Sequence, residues 1–137
     1  MPELNLMAAW MGILLGILGG AALGLFFQRE EWLGGYGSWR RRLLRLGHIS
    51  LFGLAFLNLA FAVTAGHAGW RPGVTPGTAA ASLLFVAGAA LMPAVCGLAA
   101  WRMPLRRLFP LPVLCLATAA GMTVWALAAP VVKGAGP

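Results

Sequence analysis

The amino-acid sequence predicts an all-α integral membrane protein with four transmembrane helices, in a single domain covering residues 1–137. Three observations support this class: 61% of the residues are hydrophobic, only 9% are charged, and the charged residues divide the chain into four long runs that contain none. A soluble domain carries about 25% charged residues, so this chain has too few to cover a water-facing surface. Each run exceeds the roughly 20 apolar residues that a helix needs to cross the hydrocarbon core.

We expect the helices at about 4–27, 43–65, 78–101 and 108–130. The runs are rich in Ala and Leu and do not alternate apolar with polar residues, which favours helices over membrane strands. A helix in lipid also satisfies its own backbone hydrogen bonds. Helix-breaking residues fall in all three connections: Gly34, Gly35 and Gly37 in the first, Pro72, Gly73, Pro76 and Gly77 in the second, and Pro104 in the third.

The basic residues predict the orientation of the helices. Eight of the ten Lys and Arg residues lie in two connections, and only Arg71 and Lys133 lie at the other end. The first connection with its flank holds Arg29, Arg40, Arg41, Arg42 and Arg45, and the third holds Arg102, Arg106 and Arg107. The positive-inside rule then predicts two hairpins closed on the cytoplasmic side, with both termini outside, most simply in a bacterial inner membrane.

Glycines recur every four residues along the first predicted helix, at Gly12, Gly16, Gly20 and Gly24. This spacing keeps them on one stripe of the helix surface. Small residues let helix backbones approach closely in lipid, where van der Waals contact drives association. We therefore expect the stripe to dock a helix of another subunit or a flat cofactor such as a carotenoid or porphyrin. Packing against another helix of the same chain is the alternative.

The two histidines lie at opposite ends of the second predicted helix. His48 and His67 are separated by roughly 28 Å of helical rise, so they cannot bind one haem together. His48 could be a single axial haem ligand, with a second ligand from Met or from another subunit; alternatively, it simply reaches water at the interface. The segment 47–53 resembles the histidine-bearing helices of membrane haem proteins, but it lacks a second histidine at that level.

Other polar residues allow both structural and functional interpretations. Asn58, near the middle of the second helix, is expected to bond across helices, with a quinone or substrate contact as the alternative. Cys96, Cys115 and His48 share a depth and could hold a soft metal, although small buried cysteines are common without one. The basic segment with Arg40, Arg41, Arg42 and Arg45 could bind anionic lipid headgroups or serve only to orient the chain.

These features favour a non-catalytic subunit of a larger membrane complex, of respiratory or other electron-transfer type. The sequence carries no catalytic constellation, and its three acids, Glu3, Glu30 and Glu31, all lie outside the predicted spans' interiors. The expected partners are membrane lipids and other transmembrane subunits, without nucleic acid, because topology explains the net charge of +7. The sequence requires no cofactor, although haem or a pigment could bind. A small oligomeric transporter or channel, and a haem-binding electron carrier using His48, are the alternatives.

Overall fold

The computed structural model describes residues 2–71 and 74–134, with side chains described to residue 129. This part of the chain contains no strand and four long helices: α1 (Pro2–Phe27), α2 (Trp39–His67), α3 (Thr78–Trp101) and α4 (Pro110–Gly134). All four are long and apolar enough to cross a membrane. The all-helical class and the four helices of membrane-spanning length are therefore confirmed for the described residues. Pro72 and Gly73 of the second connection lie outside the described residues.

Local capping explains where the helices begin. α2 starts at Trp39, earlier than the sequence suggested, because the Ser38 hydroxyl accepts a hydrogen bond from the Arg41 backbone N–H at 3.3 Å. A short 3-10 helix, Met103–Leu108, forms the third connection and delays the start of α4 to Pro110. A proline suits this first-turn position, where its missing N–H costs no helical hydrogen bond.

Helix α3 is the central element of the packing. It packs against α2 and α4 and also contacts α1, whereas α1 packs mainly against α2. Between α2, α3 and α4, a buried core contains Phe61, Ala65, Ala81, Phe85 and Ala119. Within the described residues, no comparable packing joins α1 to α4. These two helices therefore flank the molecule, and much of each surface faces outward.

Helix α1 is the least buried of the four. Only 11% of its most apolar segment is buried, against 33% for the corresponding segments of α2 and α3. Large side chains such as Trp10, Ile17 and Leu25 are exposed along it. A soluble protein rarely exposes an apolar surface of this extent, whereas lipid solvates it without cost.

Candidate functional site

Three polar side chains meet where α1, α2 and α3 come together. Asn5, Asn58 and Ser82 are fully buried, and each helix contributes one of them. The Asn5 amide nitrogen Nδ2 donates to Asn58 Oδ1 at 2.8 Å and to the Ser82 backbone carbonyl at 3.3 Å. The Ser82 hydroxyl in turn donates to Asn5 Oδ1. The cluster therefore joins three helices through side chains.

The second asparagine completes this network. Asn58 Nδ2 donates to the backbone carbonyls of Leu54 at 2.9 Å and Phe85 at 3.3 Å. Both side-chain amides thus donate two hydrogen bonds and accept at least one. An unsatisfied buried polar group would cost about 1–3 kcal/mol, and these side chains avoid that cost. The geometry assigns the cluster a structural role in holding α1, α2 and α3 together.

Two members of this cluster were missed by the sequence reasoning. Asn58 was singled out, but Asn5 and Ser82 lie in the early turns of their helices and resemble ordinary interfacial residues there. A usable signal was present, because all three polar residues lie in the half of their helix that is away from the arginine-bearing connections. The match in depth becomes evident only when the helices are aligned beside each other.

The glycine stripe of α1 lies against α2 of the same chain. A Cβ atom on Gly12 would lie 3.0 Å from Ala55 Cβ, and a Cβ on Gly16 would lie 2.8 Å from the Phe52 ring. Real side chains do not approach so closely without a shift of their neighbours. The absence of side chains at these two positions is what lets α1 and α2 pack.

The remaining stripe glycines differ from each other. A Cβ on Gly20 would lie 2.8 Å from the His48 ring, whereas nothing lies within 4 Å of one on Gly24. Three of the four glycines thus face α2, which is the intramolecular alternative that the sequence left open. The expectation of a partner helix on those three is corrected, because the first connection brings α2 alongside them. Gly24 alone is open to a neighbouring molecule.

His48 lies half-buried between α1 and the Phe52 side chain. Its ring meets Phe52 edge-on with centroids 5.5 Å apart, and its buried Nδ1 atom has no hydrogen-bond partner among the described residues. Beside the ring runs a groove of about 300 Å³, whose walls include the small residues Gly19, Ala22, Gly47 and Gly97. His48 itself lines this groove, and an imidazole has the chemistry to accept a hydrogen bond or to ligate the metal of a flat cofactor.

The other candidate ligands do not join His48. His67 is exposed, with Nδ1 3.3 Å from the Val63 carbonyl. Cys96 is buried and Cys115 half-buried, and both are free thiols. Within the described residues, no group of three or more His, Cys, Asp or Glu side chains comes together. The structure thus does not assemble the Cys96, Cys115 and His48 set considered from depth alone.

Arg41, in the first turn of α2, packs its side chain onto the first connection. Its side chain is only 5% exposed, and its guanidinium donates to the backbone carbonyls of Arg29 at 2.7 Å and Glu30 at 3.3 Å. The same group lies over the rings of Tyr36 and Trp32, at 4.3 Å and 5.3 Å from their centroids. The guanidinium therefore already has carbonyl and aromatic partners, and its contacts stabilise the first connection just after α1.

The other arginines of the predicted lipid-binding set have different surroundings. Arg40 lies over the Trp39 ring at 5.7 Å, and Arg45 donates to the Tyr36 carbonyl at 3.4 Å. Arg42 is exposed and lines a groove together with Arg106 of the third connection. Residues near the first and third connections thus share one groove, so the two arginine-bearing connections lie at one end of the molecule.

Comparisons with models of protein families, with curated proteins and with solved structures found no match to this chain. Functional inference therefore depends on the residues and geometry described above.

Proposed function

We propose that this chain is a non-catalytic integral membrane subunit of a larger membrane protein complex. The polar residues inside its helices support a structural role, because Asn5, Asn58 and Ser82 use their hydrogen-bonding groups on each other and on the backbone. The proposal takes the rest of its support from the helix surfaces that face outward.

Exposed glycines within the spans are the observation that carries the proposal. Gly53 on α2 and Gly121 on α4 are exposed, and no atom of the described residues lies within 4 Å of a Cβ built on either. A glycine inside a helix costs about 1 kcal/mol relative to alanine in water. Gly12 and Gly88 offset that cost through close contact inside the chain, whereas Gly53 and Gly121 have no such contact.

A helix of another subunit would provide the missing contact. Small residues in lipid-facing positions let a second backbone approach closely, and such approach is a main source of helix association in membranes. We place the docking surface on the outer faces of α2 and α4 around Gly53 and Gly121, with Gly24 as a further open position on α1.

For orientation, we propose that both arginine-bearing connections face the cytoplasm of a bacterial cell and that both termini lie on the opposite side of its inner membrane. The positive-inside rule supports this arrangement. The groove shared by Arg42 and Arg106 supports it further, since it groups the cations of two separate connections at one end.

A comparison between neighbouring positions on α4 tests the subunit role. Gly121→Leu adds a side chain to the proposed interface, whereas Ala120→Leu adds similar bulk to an exposed residue about 100° further around the helix. We expect Gly121→Leu to lower the fraction recovered in a larger complex by about ten- to hundredfold, the effect of about 1–3 kcal/mol of overpacking, and Ala120→Leu to change it little. Equal effects of the two variants, with folded monomer intact, would contradict the proposed surface.

A haem-binding electron carrier is the second candidate, and it is favoured by one observation. His48, whose buried Nδ1 has no hydrogen-bond partner among the described residues, lines a groove together with three glycines. In this form of the proposal, His48 supplies one axial ligand and a residue of a partner supplies the other. The same geometry would suit a subunit of an electron-transfer complex, where the partner brings the cofactor.

A further inference from the structure

A groove at the arginine-bearing end of the molecule is separate from the surfaces discussed so far. It has a volume of about 450 Å³ and lies between the start of α2, the end of α3 and the third connection. Its lining residues are Trp39, Arg42, Leu43, Ala99, Met103, Arg106 and Phe109.

Two cations from distant parts of the chain meet at this groove. Arg42 lies in the first turns of α2 and Arg106 in the third connection, and both side chains are exposed. No carboxylate of the described residues lines the groove, and the chain carries no Asp and no Glu after Glu31. The groove therefore attracts an anion, and the two guanidiniums can each offer paired N–H donors to its oxygens.

The remaining walls of the groove are apolar. Trp39 and Phe109 are half-buried aromatic residues, and Leu43 and Ala99 continue the apolar surface into the spans. Aromatic rings of this kind favour the depth of the lipid headgroups, where one part of a ligand is polar and the next is apolar. A free inorganic anion would leave these apolar walls without a partner.

We propose that this groove binds the headgroup and upper acyl region of an anionic phospholipid, with its phosphate held between Arg42 and Arg106. The charge of the groove complements a phosphodiester, and its apolar walls complement the glycerol and first methylenes below. In the orientation proposed above, the groove faces the cytoplasmic leaflet, whose anionic lipids attract basic groups next to a span. This inference goes beyond the subunit role and does not depend on it.

The site differs from the lipid-binding set expected from sequence. Arg41 is excluded, because its guanidinium is buried against carbonyls and aromatic rings. Arg106 enters the set, although it lies more than sixty residues away from Arg42 in the chain. Arg107, its neighbour in the third connection, is exposed but does not line the groove, so it provides a matched control.

Native mass spectrometry of the purified full chain, titrated with phosphatidylglycerol or phosphatidylcholine in detergent, tests the site. We expect the wild type to prefer phosphatidylglycerol, and Arg42→Gln and Arg106→Gln each to weaken that binding by about tenfold, the effect of one lost charge-assisted hydrogen bond. Arg107→Gln should change the binding by less than about twofold, since exposed charges at a distance contribute little.

Three outcomes would overturn the proposal. Equal losses in Arg106→Gln and Arg107→Gln would indicate diffuse attraction without a site. Unchanged binding in both groove variants, with helical content intact, would remove the two arginines from lipid recognition. Binding of inorganic phosphate as tightly as phosphatidylglycerol would show that the apolar walls do not select a lipid.

Discussion

The Asn5 side-chain amide donates a 2.8 Å hydrogen bond to the Oδ1 atom of Asn58, across 53 positions of the chain. Both side chains are fully buried, and Ser82 of α3 joins them. Burial of apolar surface alone does not distinguish one rotation of a membrane helix from another, because lipid tails are as apolar as the side chains. This bond, together with the close contacts at Gly12 and Gly16, therefore favours one rotation of α1 against α2.

Removal of either asparagine should destabilise the helix packing. We expect Asn5→Ala and Asn58→Ala each to lower the free energy of unfolding by about 1–3 kcal/mol, since each leaves buried polar atoms unpaired. The double variant should lose less than the sum of the two, with a coupling of about 0.5–2 kcal/mol. Unfolding in mixed micelles of mild detergent and dodecyl sulfate measures these values.

Ser50→Ala is the matched control for the asparagine variants. Its hydroxyl donates within α2 to the Gly47 carbonyl at 2.7 Å and joins no second helix. Its loss should change the free energy of unfolding by less than about 0.5 kcal/mol, as expected for a site without a tertiary partner. If the asparagine variants cost no more than Ser50→Ala, the buried network does not hold the helices together.

Two glycines on the same stripe of α1 should respond differently to one methyl group. A Cβ on Gly12 would lie 3.0 Å from Ala55 Cβ and 3.1 Å from the Leu51 carbonyl oxygen, whereas nothing lies near one on Gly24. Gly12→Ala should therefore destabilise the fold by about 1–3 kcal/mol through overpacking. Gly24→Ala should leave stability unchanged or raise it by up to about 1 kcal/mol. The reverse order would place the stripe away from α2.

His48 should be required for any haem binding by the purified chain. Incubation with haemin in detergent is expected to shift the Soret band from that of free haemin, and His48→Ala should abolish the shift. His67→Ala should retain the shift, because that exposed residue lies at the other end of α2. A shift that survives His48→Ala, or depends equally on both histidines, would show that the groove beside His48 is not the haem site.

The proposed orientation can be tested at Gly37, in the first connection. A Cβ at this exposed position meets nothing within 4 Å, so Gly37→Cys should fold normally in a Cys115→Ala background. A membrane-impermeant maleimide should label it only after the cells are opened, because the positive-inside rule places this connection in the cytoplasm. Labelling of intact cells would invert the topology.

The sequence was sufficient to predict the four helices, since span length and the placement of charges depend on the chain alone. The packing partner of the glycine stripe was not predictable in the same way. Spacing of four indicates close approach, but it carries no information about which helix approaches. The structure identifies α2 as the partner, because Ala55 packs against Gly12 and Phe52 packs against Gly16.

The arginines illustrate a second limit of sequence reasoning. Arg41 and Arg42 are neighbours in the chain with equal charge, yet one is buried and the other is exposed. Their difference depends on the fold of the first connection, where Tyr36 and the Glu30 carbonyl enclose the Arg41 guanidinium. Arg42 and Arg106 line one groove because α2 and α3 pack side by side. The sequence around either arginine does not predict that packing.

The subunit role is tested most directly by the mass of the particle that contains this chain. Native mass spectrometry of the wild type, extracted from its own membrane with a gentle detergent, measures that mass. The account predicts a stable particle that contains this 14.3 kDa chain together with different transmembrane polypeptides. A particle with the mass of one copy, or of a whole number of copies of this chain alone, would contradict it.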